Sequence, residues 1–490
     1  MFEAAELGHK ISKEQYAKEV PALREALLAA QYKLLAKPDF PVIVIIGGVD
    51  GAGKGETVNL LNEWMDPRHI ITRAFGEPSD EERERPHMWR FWRALPPKGR
   101  IGILFGSWYT QPIVDRVLKK SAESEFLRDI ENIKHFERML VAEGALILKF
   151  WFHLSKGAQK KRLAALEADP HTRWRVTAQD RERFKIYDRF RGISEVALRE
   201  TSTGEAPWIV IEGVDPRYRS LTAGRSLLDA LTHKLAGAKP PMPAPAPLEP
   251  QIDTRNVINT LDYTKKLTEK EYRAQLEKLQ GELALLSRKP KFGRRSLIMV
   301  FEGQDAAGKG STIRRITGAL DARYYGIIPV AAPSEEERAQ PYLWRFWRHL
   351  PRTGRVTIFD RSWYGRVLVE RVENFAPEAD WMRAYHEINQ FEEELVDHGA
   401  IVLKFWMAIT KEEQLKRFRL REKTPFKTFK ITDEDWRNRK KWDKYERAVC
   451  DMAERTGTGD APWHLIPSND KLYARIAVLR TVCEELKKSL

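Results

Sequence analysis

The chain has 490 residues, 42% of them hydrophobic, enough for two or three domains with cores of their own; this excludes a disordered or fibrous polypeptide. Its 84 Lys and Arg against 70 Asp and Glu leave a formal charge of +14, which favours a polyanionic partner: nucleic acid, an acidic membrane surface or a phosphate-rich substrate. Two cysteines, Cys450 and Cys483, are too few for a disulfide framework or a CxxC metal site, and read as small buried apolar residues in a reducing compartment.

The first segment, "MFEAAELGHKISKEQYAKEV", is charged throughout and lacks the apolar centre of a signal peptide. No apolar run approaches the roughly 20 residues of a membrane span, so a soluble, cytoplasmic protein without a membrane partner is expected. An amphipathic helical segment then leads into the apolar run "FPVIVIIGG" (40–48) and the loop "GVDGAGKGET" (48–57). "PHMWRFWRALPPKGR", "ILFGSWYTQ" (103–111), "LILKFW" and "TSTGEAPW" follow. After the proline-rich "GAKPPMPAPAPLEP" (237–250), which suits a semi-rigid extended linker, the series returns as "SLIMVFEG" (296–303), "GQDAAGKGST", "PYLWRFWRHLPRTGR", "IFDRSWYGR" (358–366), "IVLKFW" and "TGTGDAPW".

Lys54 and Lys309 differ by 255 positions, and so do Trp208 and Trp463, which makes the chain two copies of one domain. The boundaries expected are 1–236, a linker at 237–250, and 251–490. Apolar strands separated by long charged helical segments predict, in each copy, an α/β domain with a parallel sheet covered on both faces.

In "FEGQDAAGKGST", Gly303, four residues, Gly308 and Lys309 have the spacing of a phosphate-binding loop, with an apolar strand before and the helical "STIRRITGAL" after. Gly303, Gly308 and Gly310 let backbone N–H groups turn toward phosphate oxygens, and Lys309 reaches the transferring group. The residue after the lysine is Gly310 rather than Ser or Thr, and the hydroxyl comes one place later at Ser311, as in nucleoside monophosphate kinases. Magnesium then needs carboxylates, and Asp305 in the loop and Asp360 at the end of "RVTIFD" are the candidates.

The first copy departs at these places. Phe105 stands for Asp360, Gly106 for Arg361, Gln111 for Arg366, and Glu56 puts a carboxylate where Ser311 would face phosphate. A missing metal carboxylate and an added like charge both oppose a magnesium–phosphate complex, so the first copy is expected to be inactive and the second to carry turnover. The basic stretch 411–447 reads either as a solvated helical face or as a lid closing over phosphates, and there the first copy keeps Arg162 for Arg417 but has Ala164 and Leu166 for Arg419 and Arg421. Trp344 and Trp347 in "WRFWR" read as core.

With "EGQDAAGKG", "DRSWYGR", "PSEEERAQPYLWRFWRHLP", "EEQLKRFRLR" and "APWHLIPSNDKLYARI", the second copy resembles the polyphosphate kinase 2 family, and the first does so more weakly. That resemblance implies two tandem P-loop kinase-like, three-layer α/β/α domains with helical lids, using magnesium and inorganic polyphosphate to phosphorylate nucleotides. It implies roles for Asp305, Lys309, Asp360, Arg361 and Arg366 in the two Walker-type motifs, and for Arg417, Arg421 and Lys430 in the lid. The fused two-domain form resembles the class that phosphorylates AMP to ADP. A homo-oligomer without a nucleic-acid partner is expected. The rival readings are an ATP-dependent nucleoside monophosphate kinase, polyphosphate-driven phosphorylation of ADP or GDP, and a nucleic-acid-binding scaffold.

Overall fold

The computed structural model describes residues 1–237, 256–425 and 431–490. The expected linker at 237–250 therefore lies outside the described residues apart from Gly237, and so does Lys430. Among the described residues ten strands form two sheets: β1 (Val42–Gly48), β2 (Ile70–Ala74), β3 (Ile101–Phe105), β4 (Leu146–His153) and β5 (Trp208–Glu212) in the first, and β6 (Ser296–Gly303), β7 (Tyr325–Pro329), β8 (Val356–Asp360), β9 (Ala400–Ala408) and β10 (Trp463–Pro467) in the second. The orders are β2-β3-β1-β4-β5 and, read in the same sense, β7-β8-β6-β9-β10, with every pairing parallel.

Two compact units hold these sheets. One comprises the described residues of 1–78, 90–242 and 335–341; the other comprises those of 79–89, 243–334 and 342–490. Each unit thus includes a short stretch from the other sequence repeat. Within the first unit, Lys98 N donates to Ala339 O at 2.9 Å; within the second, Arg85 Nε donates to Leu350 O at 2.9 Å.

The central strands are apolar on both faces because both are covered. Val42, Val44 and Ile46 face Leu27, Leu34, Leu221 and Leu227 from the helices Lys13–Ala36 and Pro216–Leu235, while Ile43 and Ile45, pointing the other way, are equally buried. In the second unit Leu297, Met299 and Phe301 pack on Leu283, Leu479 and Val482, with Ile298 and Val300 buried on the opposite face. This is the three-layer α/β/α arrangement, with β1 and β6 flanked by strands reached in opposite directions. At such a switch point the loop leaving the central strand opens a crevice at the carboxyl edge of the sheet.

The "SWY" shared by the two copies belongs to the scaffold. Trp363 Nε1 and Tyr364 OH donate to Glu392 Oε1 at 3.0 and 2.7 Å, and Lys404 Nζ reaches Glu392 Oε2 at 2.7 Å and Thr456 O at 2.6 Å. Trp108, Tyr109, Lys149, Glu137 and Thr201 repeat the arrangement within 0.1 Å, with the corresponding distances 3.0, 2.7, 2.7 and 2.7 Å. A charged pair so deeply buried persists only with its remaining donors and acceptors satisfied, as they are here, and it pins a covering helix to the sheet.

Candidate functional site

In the second unit, β6 ends at Gly303 and the helix Lys309–Thr317 begins five residues after Gln304, so the loop folds back over the sheet edge. Gly308 caps that helix at φ 114°, a conformation open to glycine. Lys309 Nζ lies on Gly303 O at 2.8 Å, curled into the loop it closes. β8 runs beside β6 with Asp360 in register with Phe301, which brings the Asp360 carboxylate to the start of the same helix, beside Gly310.

Arg361 follows at φ 65°, a left-handed conformation that costs a residue with a side chain roughly 1–2 kcal/mol. Strain of this kind persists where surrounding structure imposes it and often marks a working side chain. Here it turns the guanidinium to Asp305, Nη2 to Oδ1 at 3.3 Å. Asp305 Oδ2 accepts from Asn438 Nδ2 at 3.0 Å, tying the loop to the helix Asp433–Lys440. In the first unit the position of Arg361 is Gly106 at φ 71°: the backbone keeps its turn, and the side chain that justified the strain is gone.

Two cavities meet at this point. The larger, about 680 Å³, is a channel lined by the loop from Asp305 to Ser311, by Asp360, and by Arg314, Arg361, Arg421, Lys471 and Arg475. The smaller, about 100 Å³, is lined by Gly303, Trp406, Trp442, Tyr445, Glu302 and Glu446 among others. Asp305, Arg361, Glu434 and Asn438 line both. A cationic trough thus opens beside a small aromatic pocket, with Asp305 and Glu434 at their junction and the loop lysine on the trough side.

The sequence-derived residues divide accordingly. Asp305 and Arg361 lie at the junction, Gly303 lines the smaller pocket, and Gly308, Lys309, Gly310, Ser311, Asp360 and Arg421 line the channel. Arg366 stands apart: its guanidinium lies over the Tyr342 ring, 4.2 Å from the centroid, and pairs with Glu370 at 2.8 Å. Arg417, although it borders the channel, is buried with its donors turned to the protein: Nε to Glu413 at 2.7 Å, Nη1 to Ala306 O and Ala307 O at 2.9 and 3.0 Å, Nη2 to Ser468 O and Asn469 O at 2.7 and 2.8 Å. It braces the phosphate loop from the helix Lys411–Glu422. Trp344 and Trp347 are buried, as their spacing predicts.

Several residues escaped the sequence reading. Glu302, a carboxylate in an apolar strand, is buried and accepts from Ser362 Oγ at 2.8 Å. Burial pushes its pKa above the usual carboxylate range, against the pull of Lys309 and of the Ser362 hydroxyl. Arg475, from the last helix, reaches Ser311 Oγ at 3.4 Å. The available signal was the acidic residue directly before the glycine loop, where the first copy has Gly47.

The first unit keeps the loop but fills its surroundings differently. Lys54 Nζ lies on Gly48 O at 2.7 Å and near Asp50 Oδ1 at 3.5 Å, and burial lowers its pKa. Arg219, standing where the second copy has Ala474, packs against Gly53 and bonds Thr57 Oγ1 at 3.0 Å, Gly213 O at 3.2 Å and Glu56 Oε2 at 2.7 Å. It takes over the bracing that Arg417 performs in the second unit, and Arg162 turns instead to Glu56 Oε1 at 3.2 Å.

Residues 10–239 and 266–490 each match the family model described as Polyphosphate kinase 2 (PPK2). The chain is 56% identical to a polyphosphate:AMP phosphotransferase of Pseudomonas aeruginosa, over 99% of each chain. It is 39% identical to a protein of the same name from Acinetobacter johnsonii, over 94% of this chain and 95% of that one. A crystal structure of a polyphosphate kinase 2 from Pseudomonas aeruginosa PA01 superposes with a TM-score of 0.90 at 53% identity, covering 100% of this chain and 99% of that one.

Proposed function

The chain belongs to the polyphosphate kinase 2 family, and from that premise we propose that it transfers the terminal phosphoryl group of inorganic polyphosphate to AMP, giving ADP and a polymer one phosphate shorter. The observation that carries this reading is the junction of the two cavities in the second unit: a cationic trough suited to a polyanion abuts an aromatic pocket suited to a nucleoside, across Asp305 and Arg361. An oxygen of the AMP phosphate attacks the terminal phosphorus while the bridging P–O bond to the polymer breaks. The attacking oxygen is already largely ionised near neutral pH, so no strong base is needed and positioning with charge neutralisation carries the catalysis.

Lys309 and the loop N–H groups hold the phosphoryl being moved, Arg361 lies between donor and acceptor, and Arg314, Arg421 and Arg475 line the polymer's path. Trp406, Trp442 and Tyr445 provide aromatic faces for the base. Among the described residues no cluster of three or more His, Cys, Asp or Glu forms a metal cage. One or two carboxylates completed by substrate phosphates is nevertheless the usual magnesium arrangement, and the hard oxygen donors of Asp360 and Asp305 at the channel fit it. Bound there, magnesium would neutralise charge on the phosphoryl oxygens. The first unit, with Phe105 for Asp360, is assigned no turnover.

No described helix is long and apolar enough to cross a membrane, and Cys450 and Cys483 are buried free thiols, both in keeping with a cytoplasmic enzyme. The test is to supply AMP with magnesium and either polyphosphate or ATP. ADP formed with polyphosphate alone supports the reading. ADP formed with ATP alone makes the chain a nucleoside monophosphate kinase, and preference for ADP or GDP over AMP moves it to another acceptor class.

A further inference from the structure

Position 56 of the first unit corresponds to Ser311, in the first turn of the helix that follows the phosphate loop. There the Glu56 carboxylate is gripped by three guanidinium groups: Arg219 Nη2 at 2.7 Å, Arg162 Nη2 at 3.2 Å and Arg175 Nη1 at 3.5 Å. Two of them are neighbours in the chain and the third comes from far along it. Arg162 and Arg219 lie on the helices Lys156–Ala168 and Pro216–Leu235, and Arg175 on the turn Arg173–Arg175. Several arginines converging on one anion, beside a loop lysine and a helix N-terminus, is how a phosphate group is held.

We propose that the first unit is a phosphate site that carries its own anion: Glu56 takes the place of a phosphate oxyanion and keeps the cradle closed to free polyphosphate. The proposal shares with the assigned activity the reading of the loop as a phosphate cradle, and is independent of the acceptor. Two features distinguish this arrangement from a surface ion pair. Arg219 is buried, braces the phosphate loop at Ala52 O at 3.4 Å and bonds Gly213 O beyond β5 at 3.2 Å, so its charge is fixed in place. Asp50, the counterpart of Asp305, is likewise occupied, by Lys54 at 3.5 Å and Arg183 at 3.4 Å. Both carboxylates of the cradle are thus neutralised by the unit's own cations. Without the Glu56 charge, Arg162, Arg175, Arg219 and Lys54 would face a ligand with one compensating carboxylate between them. A short inorganic polyphosphate supplies the missing negative charge.

The experiment uses the full chain and inorganic tripolyphosphate. Equilibrium dialysis compares wild type, Glu56→Ser and the double variant Lys54→Ala/Glu56→Ser. Glu56→Ser is expected to bind one equivalent more than wild type, and the double variant to lose it. Equal stoichiometry in wild type and Glu56→Ser overturns the proposal. A second measurement needs no variant to fold: lysine acetylation of the wild type read by mass spectrometry, with and without tripolyphosphate. Lys309 is expected to be shielded and Lys54 to react unchanged. Shielding of Lys54 in the wild type to the same degree as Lys309 overturns the proposal, because the cradle would then admit the ligand with Glu56 in place. AMP phosphorylation is assayed separately, so a failed polyphosphate kinase reading and a failed plug give different results.

Discussion

Arg361 holds a left-handed backbone at φ 65° where its repeat counterpart is Gly106 at φ 71°, so its replacement separates strain from function. Arg361→Ala removes the guanidinium and keeps the strained backbone; Arg361→Gly removes both. The conformation costs a residue with a Cβ about 1–2 kcal/mol. Glycine returns part of that through the greater freedom of its unfolded chain, about 0.4–1 kcal/mol. The half-exposed ion pair of Arg361 with Asp305, at 3.3 Å, is worth about 0.2–1 kcal/mol and is missing equally from both variants. Arg361→Gly should therefore be more stable than Arg361→Ala by roughly 0.5–1 kcal/mol, which at roughly 2–4 °C per kcal/mol is a melting temperature about 1–4 °C higher. Both should lose AMP phosphorylation by at least about 10²-fold, the usual cost of removing one charge-stabilising donor. Calorimetry and polyphosphate-dependent ADP formation read the two quantities. The reasoning fails if Arg361→Gly melts below Arg361→Ala, or if it turns over at more than a tenth of the wild-type rate.

Turnover should be confined to one copy: Lys309→Ala is expected to lower it by about 10²–10³-fold, and Lys54→Ala to leave it near wild type, in the same ADP assay. Glu302 is held above the usual carboxylate pKa by burial, so the native state keeps its proton longer than the unfolded chain and loses stability as pH rises through the native value. Glu302→Gln should therefore match wild type in urea melts near the unfolded carboxylate value of ~4.3 and gain on it toward neutrality; a gap independent of pH would count against this. Lys404 and Glu392 are essentially excluded from solvent, so Lys404→Met should cost about 3–5 kcal/mol in denaturant unfolding, most of it recovered in Lys404→Met/Glu392→Gln.

Much of the second site was legible in the residues because its parts are local. Gly303, Gly308 and Lys309 lie within one loop bounded by an apolar strand and a helical segment, and Asp360 ends the neighbouring strand. Repetition did the rest, since Phe105 and Gly106 stand out only beside Asp360 and Arg361. What stayed hidden depends on long-range packing. Arg219 meets Glu56 across 163 positions, and no local pattern announces it. Arg417 sits in a basic run that reads as a phosphate-gripping lid, yet its hydrogen bonds go to loop carbonyls 110 and 111 positions away. Glu302 looks like an interruption of a strand until Ser362 and the cavity are placed beside it. The shared tryptophan and tyrosine drew attention as a motif, but they serve the buried Lys404–Glu392 pair and its twin, which is why both copies retain them.

The most direct measurement is transfer of labelled phosphate from polyphosphate to AMP by the full-length Asp360→Ala variant, in magnesium. Loss of about 10²-fold or more, with the melting temperature unchanged, is the result expected if the carboxylate beside the second loop supports phosphoryl transfer. Transfer at the wild-type rate would contradict it.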